Sequence, residues 1–113
     1  MGAYAAMEYY SGKNERYRIR LNATVVNAFR DVEYFSVLKS KDYIVLRPEK
    51  VMDEGRLRFI KYASKGHVSA NNMVQNGFLP RHLFEERKKF KVKKTRSGDI
   101  YICLNEEVTK SDH

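Results

Sequence analysis

Basic and apolar residues alternate in three short stretches of the chain: Arg16-Tyr17-Arg18-Ile19-Arg20-Leu21, Arg56-Leu57-Arg58-Phe59 and Lys89-Phe90-Lys91-Val92-Lys93. Successive side chains of a strand point to opposite faces, so each stretch predicts a strand that buries its apolar set and turns a row of cations to solvent. After the first of them, Asn22 is placed to N-cap a short helix over Ala23 to Arg30, with Val25, Val26 and Phe29 on one face. Tyr34 to Leu38 and Tyr43 to Leu46 are two apolar, β-favouring runs around the polar Lys39-Ser40-Lys41-Asp42, which predicts a hairpin closed by Pro48.

A charged linker, Pro48 to Gly55, follows, with a turn expected at Asp53-Glu54-Gly55. Leu57 to Tyr62 predicts a further strand and Ser64-Lys65-Gly66 a turn, while Pro80 to Arg87 predicts a helical turn with Pro80 near its start. Phe90 to Lys94 and Ile100 to Leu104 predict a second hairpin around Thr95-Arg96-Ser97-Gly98-Asp99, where Gly98 can take a positive φ. Residues 1–14, ending in Gly12-Lys13-Asn14, show no clear period and are expected to be an N-terminal arm; residues 105–113 are expected to be a polar tail.

The second half echoes the first. Leu21 to Phe29 lines up without gaps on Ala70 to Phe78, 49 positions on, and Tyr43 to Leu46 finds a counterpart in Tyr101 to Leu104, 58 positions on. The expected fold class is therefore α+β: a small β-rich single domain over residues 15–104, built from pseudo-repeated strand–helix–hairpin units at 16–48 and 65–104. Identity between the halves is low, so chance similarity competes with duplication.

A basic strand, a short helix and a hairpin leaving through Ile44-Val45-Leu46-Arg47-Pro48 resembles the swapped-hairpin unit of the AbrB, MazE and MraZ-type DNA-binding proteins. Arg18-Ile19-Arg20-Leu21-Asn22 to Phe29 resembles its first part and Asp42 to Pro48 its last, although Asn22 stands where the family usually has proline and the MraZ-type Asp-x-x-x-Arg signature is absent. The resemblance implies two interleaved units forming a swapped-hairpin barrel whose basic edge binds DNA, with tandem copies replacing a dimer. Arg16, Arg18 and Arg20 are the nearest match to the family's basic residues.

Charge sharpens this picture. Lys and Arg number 22 against 14 Asp and Glu, a formal net charge of +8 and a pI near 9.6, which is the electrostatic footprint of a nucleic-acid binder. Cations that merely keep a small protein in solution are the bland alternative. The 113 residues fit one domain, and Cys103, the only cysteine, allows neither an intramolecular disulfide nor a cysteine-based zinc site. Its apolar setting, Tyr101-Ile102-Cys103-Leu104, reads as core. No apolar run approaches the roughly 18 residues of a membrane span, no secretory leader opens the chain, and Ala6 replaces the Ser or Thr of a myristoylation signal. A cytoplasmic protein without membrane contact is expected.

Chemistry-bearing motifs are scarce. His67, His82 and His113 are too scattered for a metal site and read as solvated; no Gly-x-Ser-x-Gly elbow occurs, the glycines are isolated, and Asp53-Glu54, Glu85-Glu86 and Glu106-Glu107 fall in expected loops or element ends. No enzyme and no cofactor is expected. Tyr17, Phe59 and Phe90 alternate with cations and so belong to the core, whereas Tyr4, Tyr9, Tyr10 and Tyr62 leave single-stranded RNA or protein binding open. The candidate nucleic-acid-binding residues are Arg16, Arg18, Arg20, Arg56, Arg58, Lys89, Lys91, Lys93, Lys94 and Arg96.

The leading expectation is a non-enzymatic nucleic-acid-binding protein, a small DNA-binding transcriptional regulator. The alternative is a phage or mobile-element inhibitor of anti-CRISPR type that binds guide RNA or an RNA-guided nuclease. A ribosome-associated RNA-binding accessory protein is a third. The expected partner is nucleic acid, DNA ahead of RNA, with a nuclease, a toxin or a second copy of the chain as protein partners.

Overall fold

The computed structural model describes residues 2–108. Its strands are β1 (Tyr4–Tyr10), β2 (Arg16–Leu21), β3 (Tyr34–Lys39), β4 (Tyr43–Glu49), β5 (Arg56–Arg58), β6 (Ile60–Tyr62), β7 (Lys65–Ser69), β8 (Lys89–Lys94) and β9 (Ile100–Glu107). Three short helices join them: α1 (Ala23–Ala28), α2 (Asn71–Gln75) and α3 (Arg81–Glu85). All nine strands lie in one sheet in the order β5-β3-β4-β9-β8-β1-β2-β7-β6, and neighbouring strands pair antiparallel throughout.

β5 and β6 end that order on opposite sides, yet Phe59 alone separates them in the chain. The sheet therefore curls until its two ends share one bent strand, whose first half pairs with β3 and whose second half pairs with β7. The result is a nearly closed, barrel-like sheet. At the bend the Phe59 N–H leaves the ladder and donates to the Glu33 carbonyl at 2.8 Å, so the break in pairing orphans no donor there. The Phe59 ring turns inward, against Phe35 at a centroid distance of 5.2 Å.

The inward positions of the alternating stretches do form the core. Met7, Tyr17, Ile19, Leu21, Phe35, Ile44, Leu46, Val68, Phe90, Ile100 and Ile102 are all 2 % exposed or less. Burying side chains of this size is worth about 1.5–3 kcal/mol each. The helices complete the enclosure: α1 packs on β7 with Val25 and Val26 buried, α2 packs on β2, and α3 packs on β1 with Leu83 and Phe84 buried. Tyr17 meets Phe84 edge-on at 5.8 Å.

Three expectations are corrected. Residues 4–10 are not an arm but β1, an interior strand held by β2 on one side and β8 on the other. Its outward face carries Tyr4, buried Ala6 and Tyr10 around Glu8, so the contrast between faces that marks a strand is weak there. Of the expected tail, residues 105–107 belong to β9, and residues 109–113, including His113, lie outside the described residues. Lys65 and Gly66 open β7 rather than forming a turn; the reversal falls one step earlier, where Ala63 takes φ 49°.

Asn22 does occupy the N-cap position of α1 but makes no side-chain cap. Its Oδ1 instead accepts the Tyr4 N–H at 3.2 Å and its Nδ2 donates to the Gly2 carbonyl at 2.9 Å, splicing β1 to the end of β2. Asn71 does similar work, accepting the Tyr17 N–H at 2.6 Å. Among the described residues no helix is long and apolar enough to cross a membrane.

Candidate nucleic-acid interface

The outward positions of β8, β1, β2, β7 and β6 form one continuous surface. Strand register sets Lys89, Ala6, Arg20, His67 and Ile60 side by side in a row across these five strands. At about 4.8 Å per strand the row is about 19 Å long. Glu8, Arg18 and Ser69 form the next row, and Tyr10 beside Arg16 the one after.

Glu8 organises the centre of this surface. Its two carboxylate oxygens take Arg18 Nε at 2.7 Å and Arg20 Nε at 2.8 Å, so one acid fixes two guanidinium groups. Arg18 also donates to the Tyr10 hydroxyl at 2.6 Å and lies over that ring, 4.7 Å from its centroid. Burial pushes the Glu8 carboxyl up, but the hydrogen bonds from Arg20 and Arg18 outweigh it and hold the group below the usual carboxylate range. The cations that alternation predicts in a free row are therefore partly neutralised and locked in place.

His67, expected to be solvated, is half-buried beside them. Its ring stacks on Tyr62 at 6.1 Å with a 27° interplanar angle, and burial together with nearby Arg18 lowers its pKa. The imidazole is accordingly neutral at pH 7. Next to it the β1–β2 turn overhangs β2 and β7 to make an open concavity of about 950 Å³ that includes Lys13, Arg16, Arg18, His67, Ser69 and Asn71. Among the described residues lining it none is a carboxylate.

The remaining candidates scatter around this centre. Lys89 and Lys91 are exposed on β8 and flank β1, with Lys89 Nζ 5.5 Å from the centroid of Tyr4. Lys93 is paired to Glu106 at 3.0 Å, Lys94 sits over the Phe29 ring at 5.3 Å, and Arg96 is exposed in the β8–β9 turn. Arg58 lies on the closing strand over Tyr34 at 5.9 Å. Arg56, two residues before Arg58 on β5, is tied to Glu49 at 3.4 Å and to the Val51 carbonyl at 2.7 Å. The three basic stretches thus occupy separate strands of the barrel, β8, β2 and β5, with β8 and β2 on either side of β1 and β5 at the closing seam.

Glu8, Lys13, Lys65 and His67 also belong to the surface, although basic alternation does not single them out. The single acid within Tyr4 to Tyr10 is the signal that finds Glu8, once that segment is taken as a strand. Elsewhere on the barrel, Cys103 is buried beside Tyr43 on the outward side of β9, and its thiol is pushed up chiefly by burial. Among the described residues no three His, Cys, Asp or Glu side chains converge as a metal-binding group. Comparison with protein-family models, with curated proteins and with solved structures gives no match to this chain.

Proposed function

We propose that this chain is a non-enzymatic nucleic-acid-binding protein, a small DNA-binding regulator that grips duplex DNA with the outward face of β8, β1, β2 and β7. The observation that carries the reading is the pairing of β2 with β7, which puts the basic strand of the first half against its counterpart in the second. Arg18 pairs with Ser69 and Arg20 with His67. Extending the match of Leu21–Phe29 with Ala70–Phe78 back along the strands sets Arg18 against His67 and Arg20 against Ser69, so each pair maps onto the other. On that reading an approximate two-fold axis passes between β2 and β7, at the Ile19–Val68 pair.

The hairpins follow the same rule. The β3–β4 hairpin pairs with β5, which opens the second half, and the β8–β9 hairpin pairs with β1, which opens the first. Exchange of hairpins between two units is what the swapped-hairpin resemblance implies, and it supports reading the barrel as a pseudo-dimer in one chain. The ladders agree best when Ile44 is matched to Ile100 and Leu46 to Ile102, 56 positions on, in place of the 58 suggested by the tetrapeptides. A row of about 19 Å exceeds the ~12 Å width of the major groove, so Lys89 at one end and Lys65 near the other can meet opposite phosphate walls.

The test is a titration of a short duplex and of a hairpin RNA across about 50–200 mM salt, with Arg16, Lys65 and Lys91 changed together to Glu. These three are exposed and, among the described residues, have no carboxylate partner. Duplex binding whose log K–log salt slope shrinks by about 2–3 in the variant is expected, at about 0.9 for each phosphate that is no longer neutralised. Binding to hairpin RNA alone, or nuclease inhibition without duplex binding, moves the protein to the inhibitor class. Binding to neither removes the nucleic-acid reading.

A further inference from the structure

The two halves of the basic face differ. Position by position, Arg16, Arg18 and Arg20 on β2 stand against Lys65, His67 and Ser69 on β7, and Glu8 on β1 stands against Ile60 on β6. On the first half two forked guanidinium groups are held in fixed orientation by one carboxylate, at 2.7 and 2.8 Å. Such a fork can bond guanine O6 and N7 together. The second half offers one hydroxyl and one imidazole at those places, and Ile60, lacking a carboxylate, orients nothing.

A dimer of identical chains must present two identical half-faces, and its operator mirrors that symmetry. A chain that carries both halves is free of the constraint. Resting on the nucleic-acid reading above, we infer that this protein recognises an asymmetric, non-palindromic duplex site. One half-site is read through Arg18 and Arg20; the other is held through its backbone by Lys65 and Ser69. The half-site under β2 carries the base specificity, and that under β7 tolerates substitution.

Selection from a pool of duplexes with a randomised core tests this directly. The expected consensus has one well-defined half and one degenerate half, and Arg18→Ala flattens the defined half while leaving the other unchanged. A second variant, Ile60→Glu with His67→Arg and Ser69→Arg, gives the second half the side chains of the first. It is expected to bind a palindrome of the defined half at least about tenfold tighter than the native protein does, a difference of about 1.4 kcal/mol. A two-fold-symmetric consensus for the native protein overturns the inference and leaves duplex binding standing. Duplex retained without any enriched sequence overturns the inference alone, no duplex retained at all overturns both, and the native selection decides the matter even where the triple variant fails to fold.

Discussion

Replacing Gly66 by alanine tests the closure of the barrel. A Cβ at this position would lie 2.5 Å from Phe59 Cε1, 2.9 Å from Phe59 Cζ and 2.9 Å from Val26 Cγ2, against 3.4 Å or more for ordinary contact. The ring cannot simply retreat, because Phe35 packs on it at 5.2 Å and Lys61 Nζ sits 4.9 Å from its centroid. Relief requires the ring to move by close to an ångström, displacing the one residue that joins β5 to β6. Overpacking of this kind costs about 1–3 kcal/mol, so about 2 kcal/mol is expected for Gly66→Ala. In a domain of this size that lowers Tm by about 10 °C in a thermal melt followed by circular dichroism. Phe59→Leu alone should cost about 1 kcal/mol. Combined with Gly66→Ala it should cost less than the sum, with a coupling of about 1 kcal/mol, because the smaller side chain makes room for the methyl group. A Gly66→Ala protein melting within about 2 °C of the native one, or strict additivity in the double variant, would refute the account of the seam.

Three further changes follow from the site and its supports. Glu8→Gln weakens the hold on Arg18 and Arg20 and removes a negative charge from the face: stability should fall by about 1 kcal/mol in urea titration, while binding to duplex of arbitrary sequence tightens and its salt slope steepens by about 0.9. His67 has its pKa lowered by burial and by Arg18, so as pH falls through its ordinary value near 6.5 the unfolded chain takes up a proton that the folded chain refuses. Stability contributed by neutral His67 is therefore full at pH 7 and declines below about 6.5 until the folded pKa is passed, and His67→Gln should remove that part of the decline in melts between pH 7 and 5. Asn71→Ala leaves the Tyr17 N–H without its 2.6 Å acceptor at the junction of β2 and α2 and should cost about 1–3 kcal/mol, measured by chemical denaturation.

The elements legible in the chain are those whose two faces differ sharply. Arg16–Leu21 and Lys89–Lys94 alternate cation and apolar residue with hardly a break, and both are strands with the expected side inward. The β8–β9 turn is readable because only glycine takes its φ of 90° at position 98 without strain. β1 is not readable, since Ala6 on its outer side is buried too and alternation vanishes. β7 hides behind Gly66, which marks a turn in most contexts and here marks the close approach of the Phe59 ring. The clamp at Glu8 lies beyond any reading of local pattern: it depends on β1 lying antiparallel to β2 in one register, with Glu8 opposite Arg18.

β1 also bears on how the chain is made. It can pair with β2 as soon as the first hairpin leaves the ribosome, but its other edge waits for β8, more than 80 residues later. β4 waits in the same way for β9, the last strand among the described residues. For most of translation the nascent chain therefore carries two strand edges with unspent N–H and C=O groups, the condition under which chains pair with one another instead of with themselves. Neither half can finish folding until the other has been synthesised. The step that completes the barrel is the arrival of Lys89–Glu107, so a ribosome stalled before that point holds a sticky half-barrel, and slow folding is built into the order in which the strands appear.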